Sequence, residues 1–277
     1  MRAPLRIAIL ECDTPLPNTN RRYGGYGGVF RTLLTASAEA LHQSDRLDPV
    51  TELDISQWDV VNGTEYPRLE DIDAVLLTGS STYRGVCEVV QQDTENANVL
   101  INTVAEHNSF EDIPWINRLV QFTQKVLAQD RVRIQGICFG HQIVGRALGA
   151  KVGRSDQGWE IAVCDMDLTE KGKDLFGLDK IHIHQMHQDI VFNCPSNVTL
   201  LGSSPRCAVQ GMYSPGRFIT VQGHPEFNRE IETEIIHTRT KAGVFSEDQA
   251  LDGLNRVGNE HDGVSIGTTF LKFLLEG

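Results

Sequence analysis

A cysteine, a histidine and a glutamate stand where acyl-transfer chemistry would need them: Cys138 in GICFGHQ (136–142), and His224 with Glu226 in QGHPEF (222–227). A thiolate attacks a carbonyl carbon, an imidazole carries the proton, and a carboxylate orients the imidazole. Cys138 lies between Gly136 and Gly140, after an apolar run and before residues of helical spacing. Strand, then G-x-C-x-G, then helix is the pattern of a nucleophile elbow. The sharp turn strains the backbone at the nucleophile, and the glycines leave room for substrate. A helix N-terminus also favours thiolate over a thiol whose free pKa is about 8.5. The Phe139 amide faces the same space as a candidate oxyanion donor, and LLTGSSTY (76–83) offers a second through Gly79.

Among nine histidines, His224 stands out because it follows the apolar run ITVQ and precedes Pro225. A residue before proline stays extended, so a carboxylate two positions on can turn back to the ring. His182, His184 and His187 fall in KIHIHQMHQD, a strand-like stretch. A metal there would need further ligands that the neighbourhood lacks, so they read as strand or core histidines, and no metal or other cofactor is expected. Cys12, Cys87, Cys164, Cys194 and Cys207 read as small core thiols.

The elements that must position these groups alternate along the chain. Leu5 to Leu10, Asp73 to Thr78 and Val132 to Ile137 read as short apolar strands; Val29 to Leu41, Ile116 to Leu127 and about His141 to Leu148 read as helices. Strands interleaved with helices predict βαβ units around a parallel sheet, with the site at the carboxyl ends of its strands. After Lys151 the order changes. Trp159 to Asp167, Lys180 to Met186, Thr199 to Ser203, Cys207 to Tyr213 and Phe218 to Gln222 read as strands with little helix between them. Arg229 to Lys241, Glu247 to Val257 and Ile266 to Leu275 then read as helices. A single domain over residues 1–277 is expected, with 84–112, polar and weakly periodic, as a surface insertion that could serve as a lid.

A net charge of -12 excludes the basic surface that nucleic acid requires. No stretch approaches the roughly 20 apolar residues of a membrane span. MRAPLRIAILECD is a poor secretory signal, and the cysteines show no paired framework, so a cytosolic protein with reduced thiols is expected.

LLTGSS, GICFGHQ and QGHPEF, in that order and on those elements, resemble the class I glutamine amidotransferases. RRYGGYGGVFRTLL (21–34), SDQGWEIAV (155–163), EDIPWINRLV (111–120) and HDGVSIGTTFLKFL (261–274) are similar to a stand-alone branch, that of fungal amidotransferase-like proteins and plant γ-glutamyl peptidases. The resemblance implies a three-layer α/β fold: an open, mostly parallel sheet with a flavodoxin-like core and an antiparallel extension. It implies Cys138 as nucleophile, His224 as general base and acid, Glu226 as its orienting partner, and Gly79 and Phe139 as oxyanion donors. It further implies substrate contacts at Gln142, Ser80, Met186 and His187. The oxyanion loop reads TGSS where the family more commonly has G-G-P.

The implied activity is hydrolysis of a γ-glutamyl amide bond in glutamine, glutathione or a γ-glutamyl or glutathione conjugate, through a γ-glutamyl thioester. The partner is then a small-molecule γ-glutamyl substrate. One alternative is a glutaminase subunit supplying ammonia to a separate synthase. Another is a catalytically silent regulatory or binding module on the same fold, since fold never proves activity.

Overall fold

The computed structural model describes residues 4–41, 53–80, 84–92, 98–105 and 107–276, with the backbone alone for 84–92 and 98–105. The chain opens with β1 (Leu5–Glu11), α1 (Pro17–Tyr23), α2 (Tyr26–Ala40), β2 (Leu53–Asp59) and β3 (Ala74–Leu77). Then come β4 (Arg84–Gln92), β5 (Asn98–Ala105), α3 (Pro114–Leu127), β6 (Arg133–Ile137) and α4 (Phe139–Ala147). The middle holds β7 (Val152–Arg154), β8 (Glu160–Leu168), α5 (Glu170–Phe176), β9 (Lys180–His187), β10 (Asp189–Val191), β11 (Thr199–Ser203), β12 (Gly211–Ser214) and β13 (Phe218–Val221). Helices α6 (Arg229–Lys241), α7 (Glu247–Arg256) and α8 (Gly263–Leu275) follow.

Nine strands form one sheet in the order β2-β1-β3-β6-β13-β12-β11-β8-β9. The first five run parallel, and the remaining pairs are antiparallel, which is the expected parallel core with an antiparallel extension. Both faces are covered. Leu5, Ile7 and Ile9 of β1 pack in one cluster with Phe30 and Leu34 of α2 and Phe270 and Leu274 of α8. Ala8 and Leu10 of the same strand pack on the other side with Ile116 and Leu119 of α3 and Ile143 and Val144 of α4. A strand buried on both faces is apolar along nearly all its length, which is why IAIL reads as a run and not as an alternation, while Arg6 near its start is paired with Asp73. Each such enclosed leucine or isoleucine contributes about 1.5–3 kcal/mol.

The structure departs from expectation in several places, among them α1 and β2, which the sequence reading does not mark. A two-turn helix, α5, sits between the strands after Lys151, capped by the Thr169 hydroxyl accepting the Gly172 N–H. The strand expected over Cys207 to Tyr213 is shorter, because Ser204 and Cys207 exchange main-chain hydrogen bonds and close a turn before Gly211. Within 84–112, β4 and β5 pair antiparallel as a ribbon of their own. The turn joining them lies outside the described residues, and so does any role of the segment as a lid. No helix among the described residues is long and apolar enough to cross a membrane.

Candidate active site

Strands β3, β6 and β13 are adjacent and parallel, with Leu77 opposite Gly136 and Val221 opposite Ile137. The loops leaving their carboxyl ends therefore emerge side by side. Gly79 lies two residues past β3, Cys138 one past β6 and His224 three past β13. Sheet topology thus closes the sequence gap between the thiol and the imidazole.

Cys138 caps α4 with φ 51° and ψ -103°, a conformation that costs an L-residue free energy. Its N–H donates to the Val221 carbonyl at 3.0 Å and its carbonyl accepts the Gln142 N–H at 3.1 Å, so backbone pairing on both sides holds the turn. A Cβ on Gly140 would come within 2.4 Å of the Leu77 carbonyl oxygen. Only glycine lets α4 start this close to β3. Phe139 stacks on Trp115 with ring centroids 5.5 Å apart, which fixes the first turn of the helix.

His224 is 4% exposed and Glu226 6%. Nδ1 of His224 lies 2.8 Å from Oε1 of Glu226, and the Cys138 thiol is near enough to the ring to act on its charge. The ring stacks on Phe227, with centroids 4.0 Å apart and planes at 12°. Burial alone would lower the imidazole pKa, but the charges of Cys138 and Glu226 and their hydrogen bonds outweigh it and push it up to about 10. The neighbours therefore favour the imidazolium form of His224. Burial pushes the thiols of Cys12 and Cys207 up to about 12, and raises Cys164 and Cys194 as well. The Cys87 side chain lies outside the described residues.

The expected substrate contacts Ser80, Gln142, Met186 and His187 line one cavity together with Cys138 and the expected oxyanion donor Phe139. Gln142 is tied to the protein. Its Nε2 donates to the Asp189 carbonyl at 2.8 Å and to Gln222 Oε1 at 3.1 Å, and its Oε1 accepts the Ser109 hydroxyl at 2.7 Å. With both amide hydrogens donated internally, only a lone pair on its oxygen remains to offer a substrate. The strand histidines each face a carboxylate: His182 Nδ1 is 2.8 Å from Asp165, His184 Nδ1 2.9 Å from Glu232, and His187 Nε2 3.1 Å from Glu160. His182 and His184 project from the same face of β9, yet only His184 is buried. No cluster among the described residues could hold a metal ion.

Five cavity residues were not singled out from sequence: Arg154, Trp159, Gln188, Asp189 and Arg239. Arg154 Nε donates to Asp189 Oδ1 at 2.9 Å, and the Arg239 guanidinium lies over the Trp159 ring, 4.8 Å from its centroid. SDQGWE contains Trp159 and QMHQD contains Gln188 and Asp189, but Arg154 falls just before the first stretch, and Arg239 sits in the last turn of α6 with nothing in its neighbours to mark it.

Residues 69–240 match the family model for glutamine amidotransferase class-I. The chain belongs to that family. It is accordingly an enzyme of hydrolase type, with the α/β fold that the family resemblance implied. A glutamine amidotransferase-like protein of Schizosaccharomyces pombe is 34% identical over 275 residues, covering 98% of each chain. Gamma-glutamyl peptidase 3 of Arabidopsis thaliana is 34% identical over 241 residues, covering 83% of this chain and 79% of that protein. The crystal structure of a glutamine amidotransferase from Thermotoga maritima superimposes with a TM-score of 0.66 at 17% identity, covering 99% of both chains, and so shares the amidotransferase fold.

Proposed function

We propose that this amidotransferase-family chain hydrolyses γ-glutamyl amide bonds with Cys138 as nucleophile. The observation that carries the reading is the convergence of Cys138, His224 and Glu226 at the ends of neighbouring strands. The thiolate adds to the γ-carbonyl carbon, and the oxyanion that forms is met by the Gly79 and Phe139 amides. The imidazolium of His224 passes its proton to the leaving nitrogen, the C–N bond breaks, and a γ-glutamyl thioester remains. Water then attacks the thioester, His224 takes its proton, and glutamate leaves with the thiolate restored. Glu226 keeps the ring oriented and its charge balanced.

The substrate class is a small γ-glutamyl compound: glutamine, glutathione or a conjugate. Gamma-glutamyl peptidases among the relatives favour a peptide-like leaving group. Ser80, Met186 and His187 are the proposed contacts, supported by their shared place in the cavity lining. A second reading keeps the chemistry and changes the context, with the chain as a glutaminase subunit for a separate synthase; the amidotransferase-like fission yeast relative favours it. We take 1–277 as one working unit, located in the cytosol, with the free thiols of Cys12, Cys164, Cys194 and Cys207 in support.

The deciding assay incubates the purified chain with glutathione and with glutamine and measures glutamate. Release from glutathione by the chain alone supports the peptidase; glutamine turnover only after a synthase is added supports the subunit. No turnover, together with no covalent labelling of Cys138 by a glutamine-like chloroketone, would discard both.

A further inference from the structure

A second buried imidazole–carboxylate contact lies behind His224 and has no part in the reaction above. Glu232 on α6 and His184 on β9 both have fully enclosed side chains, with Oε2 of Glu232 2.9 Å from Nδ1 of His184. Enclosing a carboxylate is costly unless other groups compensate for lost water. Three do so here. His184 is one; the N-terminus of α6, whose first turn contains Glu232, is another. The third is the Ala162 N–H, which donates to Oε1 of Glu232 at 3.0 Å.

Two of these contacts lead to the active site from different sides. The main-chain carbonyl of His184 accepts the N–H of His224 at 2.7 Å, an isolated bridge between β9 and the loop that follows β13. Ala162 pairs with Gln185 in the ladder of β8 and β9, beside the pair Ile161 and Met186, and Met186 lines the cavity. Ala162 has φ 61°; it and Cys138 are the two non-glycine residues in the left-handed region among those described. Such a conformation persists only where the surroundings over-determine it, and the carboxylate of Glu232 holds its N–H in place.

We infer that Glu232 is a positioning residue for the catalytic histidine. One buried carboxylate packs against the ring of His184, whose main-chain carbonyl holds the backbone of His224; its other oxygen accepts the Ala162 N–H at the turn beside the cavity wall. The inference rests on the γ-glutamyl hydrolase reading for its kinetic readout. Neither Glu232 nor His184 lines the cavity, so their loss acts on the reacting geometry more than on substrate binding.

The test uses Glu232→Gln and His184→Gln, singly and together, each also combined with Ala162→Gly. Glutamine at 232 keeps an acceptor for Ala162 and removes the charge facing His184. Glycine adopts a positive φ without side-chain strain, so Ala162→Gly offsets lost stability without restoring that charge. Chloroketone titration counts functional sites, and kcat is expressed per titrated site. Glu232→Gln and His184→Gln should each lower kcat about tenfold with KM within about twofold, the pair together no worse than either. Ala162→Gly should raise the Tm of Glu232→Gln and leave its kcat low. Wild-type kcat per site in both single variants, with only Tm lowered, would reduce Glu232 to a purely structural role. The rate of Cys138 alkylation by iodoacetamide probes the Cys138–His224 pair without any substrate. A wild type that turns over no γ-glutamyl compound therefore sinks the functional reading alone. The positioning inference is then decided by alkylation, slower in Glu232→Gln if it holds and unchanged if it does not.

Discussion

Gly79 and His224 touch so closely that a methyl group on the glycine would come within 2.6 Å of Cε1 of the imidazole. This makes TGSS more than a turn after a buried strand. The glycine proposed as an oxyanion donor also forms the surface against which the histidine rests.

Gly79→Ala is therefore expected to push the His224 ring off Cys138 and disturb the oxyanion amide together. Turnover should fall about 100-fold or more, comparable with loss of an oxyanion donor. Steady-state kinetics beside a thermal melt will check this; unchanged kcat would show that the loop moves freely and that its amide is not required.

Strain at Cys138 can be separated from its chemistry. Cys138→Ala should abolish glutamate release and leave Tm nearly unchanged, because the substituted side chain keeps the same unfavourable backbone angles. Cys138→Gly should be equally inactive and more stable, by roughly 1 kcal/mol, because glycine takes φ 51° at little cost. A glycine variant that melts below the alanine variant would mean the thiol's packing outweighs the backbone term.

Much of this was legible because two physical constraints write themselves into local sequence. A nucleophile at a strand-to-helix turn needs small neighbours, hence Gly136, Cys138 and Gly140 in one short run. A ring that needs a carboxylate partner nearby finds it two residues away, hence His224 and Glu226. What stayed hidden depends on other strands. Strand β2 reads DISQWD because it lies at the sheet edge with alternating exposure, and α1 reads PNTNRRY, a turn-like composition. Ribbon β4–β5 pairs only with itself, so nothing apolar in the main sheet marks its period. Glu232 and Arg239 are charged residues on a helix, where sequence alone predicts solvent; only the fold reveals that both are enclosed.

The charge relation in the Cys138–His224–Glu226 cluster sets a pH signature. The folded imidazole titrates near 10, above the unfolded value of about 6.5. A raised pKa means the cluster adds stability that is complete below about 6.5 and is lost as pH rises through about 10. Urea midpoints should decline between those limits, and the decline should shrink in Glu226→Gln, which removes one of the charges holding the proton. The same variant should keep more activity than Cys138→Ser, since the acid orients and does not form the covalent bond. A midpoint flat from pH 6 to 10 in the wild type would mean His224 is neutral in the resting enzyme.

Gln142 supplies the sharpest contrast between a substrate contact and a scaffold. Its amide hydrogens already serve the Asp189 carbonyl and Gln222. In Gln142→Glu, a carboxylate oxygen would face the Asp189 carbonyl with no hydrogen between them. Gln222 can relieve its own side of the clash by turning its amide, whose Nε2 has no hydrogen-bond partner in the protein. The Asp189 side has no such release, so about 1–3 kcal/mol of stability should be lost. That corresponds to a fall in Tm of several degrees for a chain of this size. A residue that mainly contacted substrate would instead raise KM and leave the melt alone. Scanning calorimetry and KM for glutathione, measured on one preparation of Gln142→Glu, decide between the two: an unchanged Tm with a raised KM would return Gln142 to direct substrate binding.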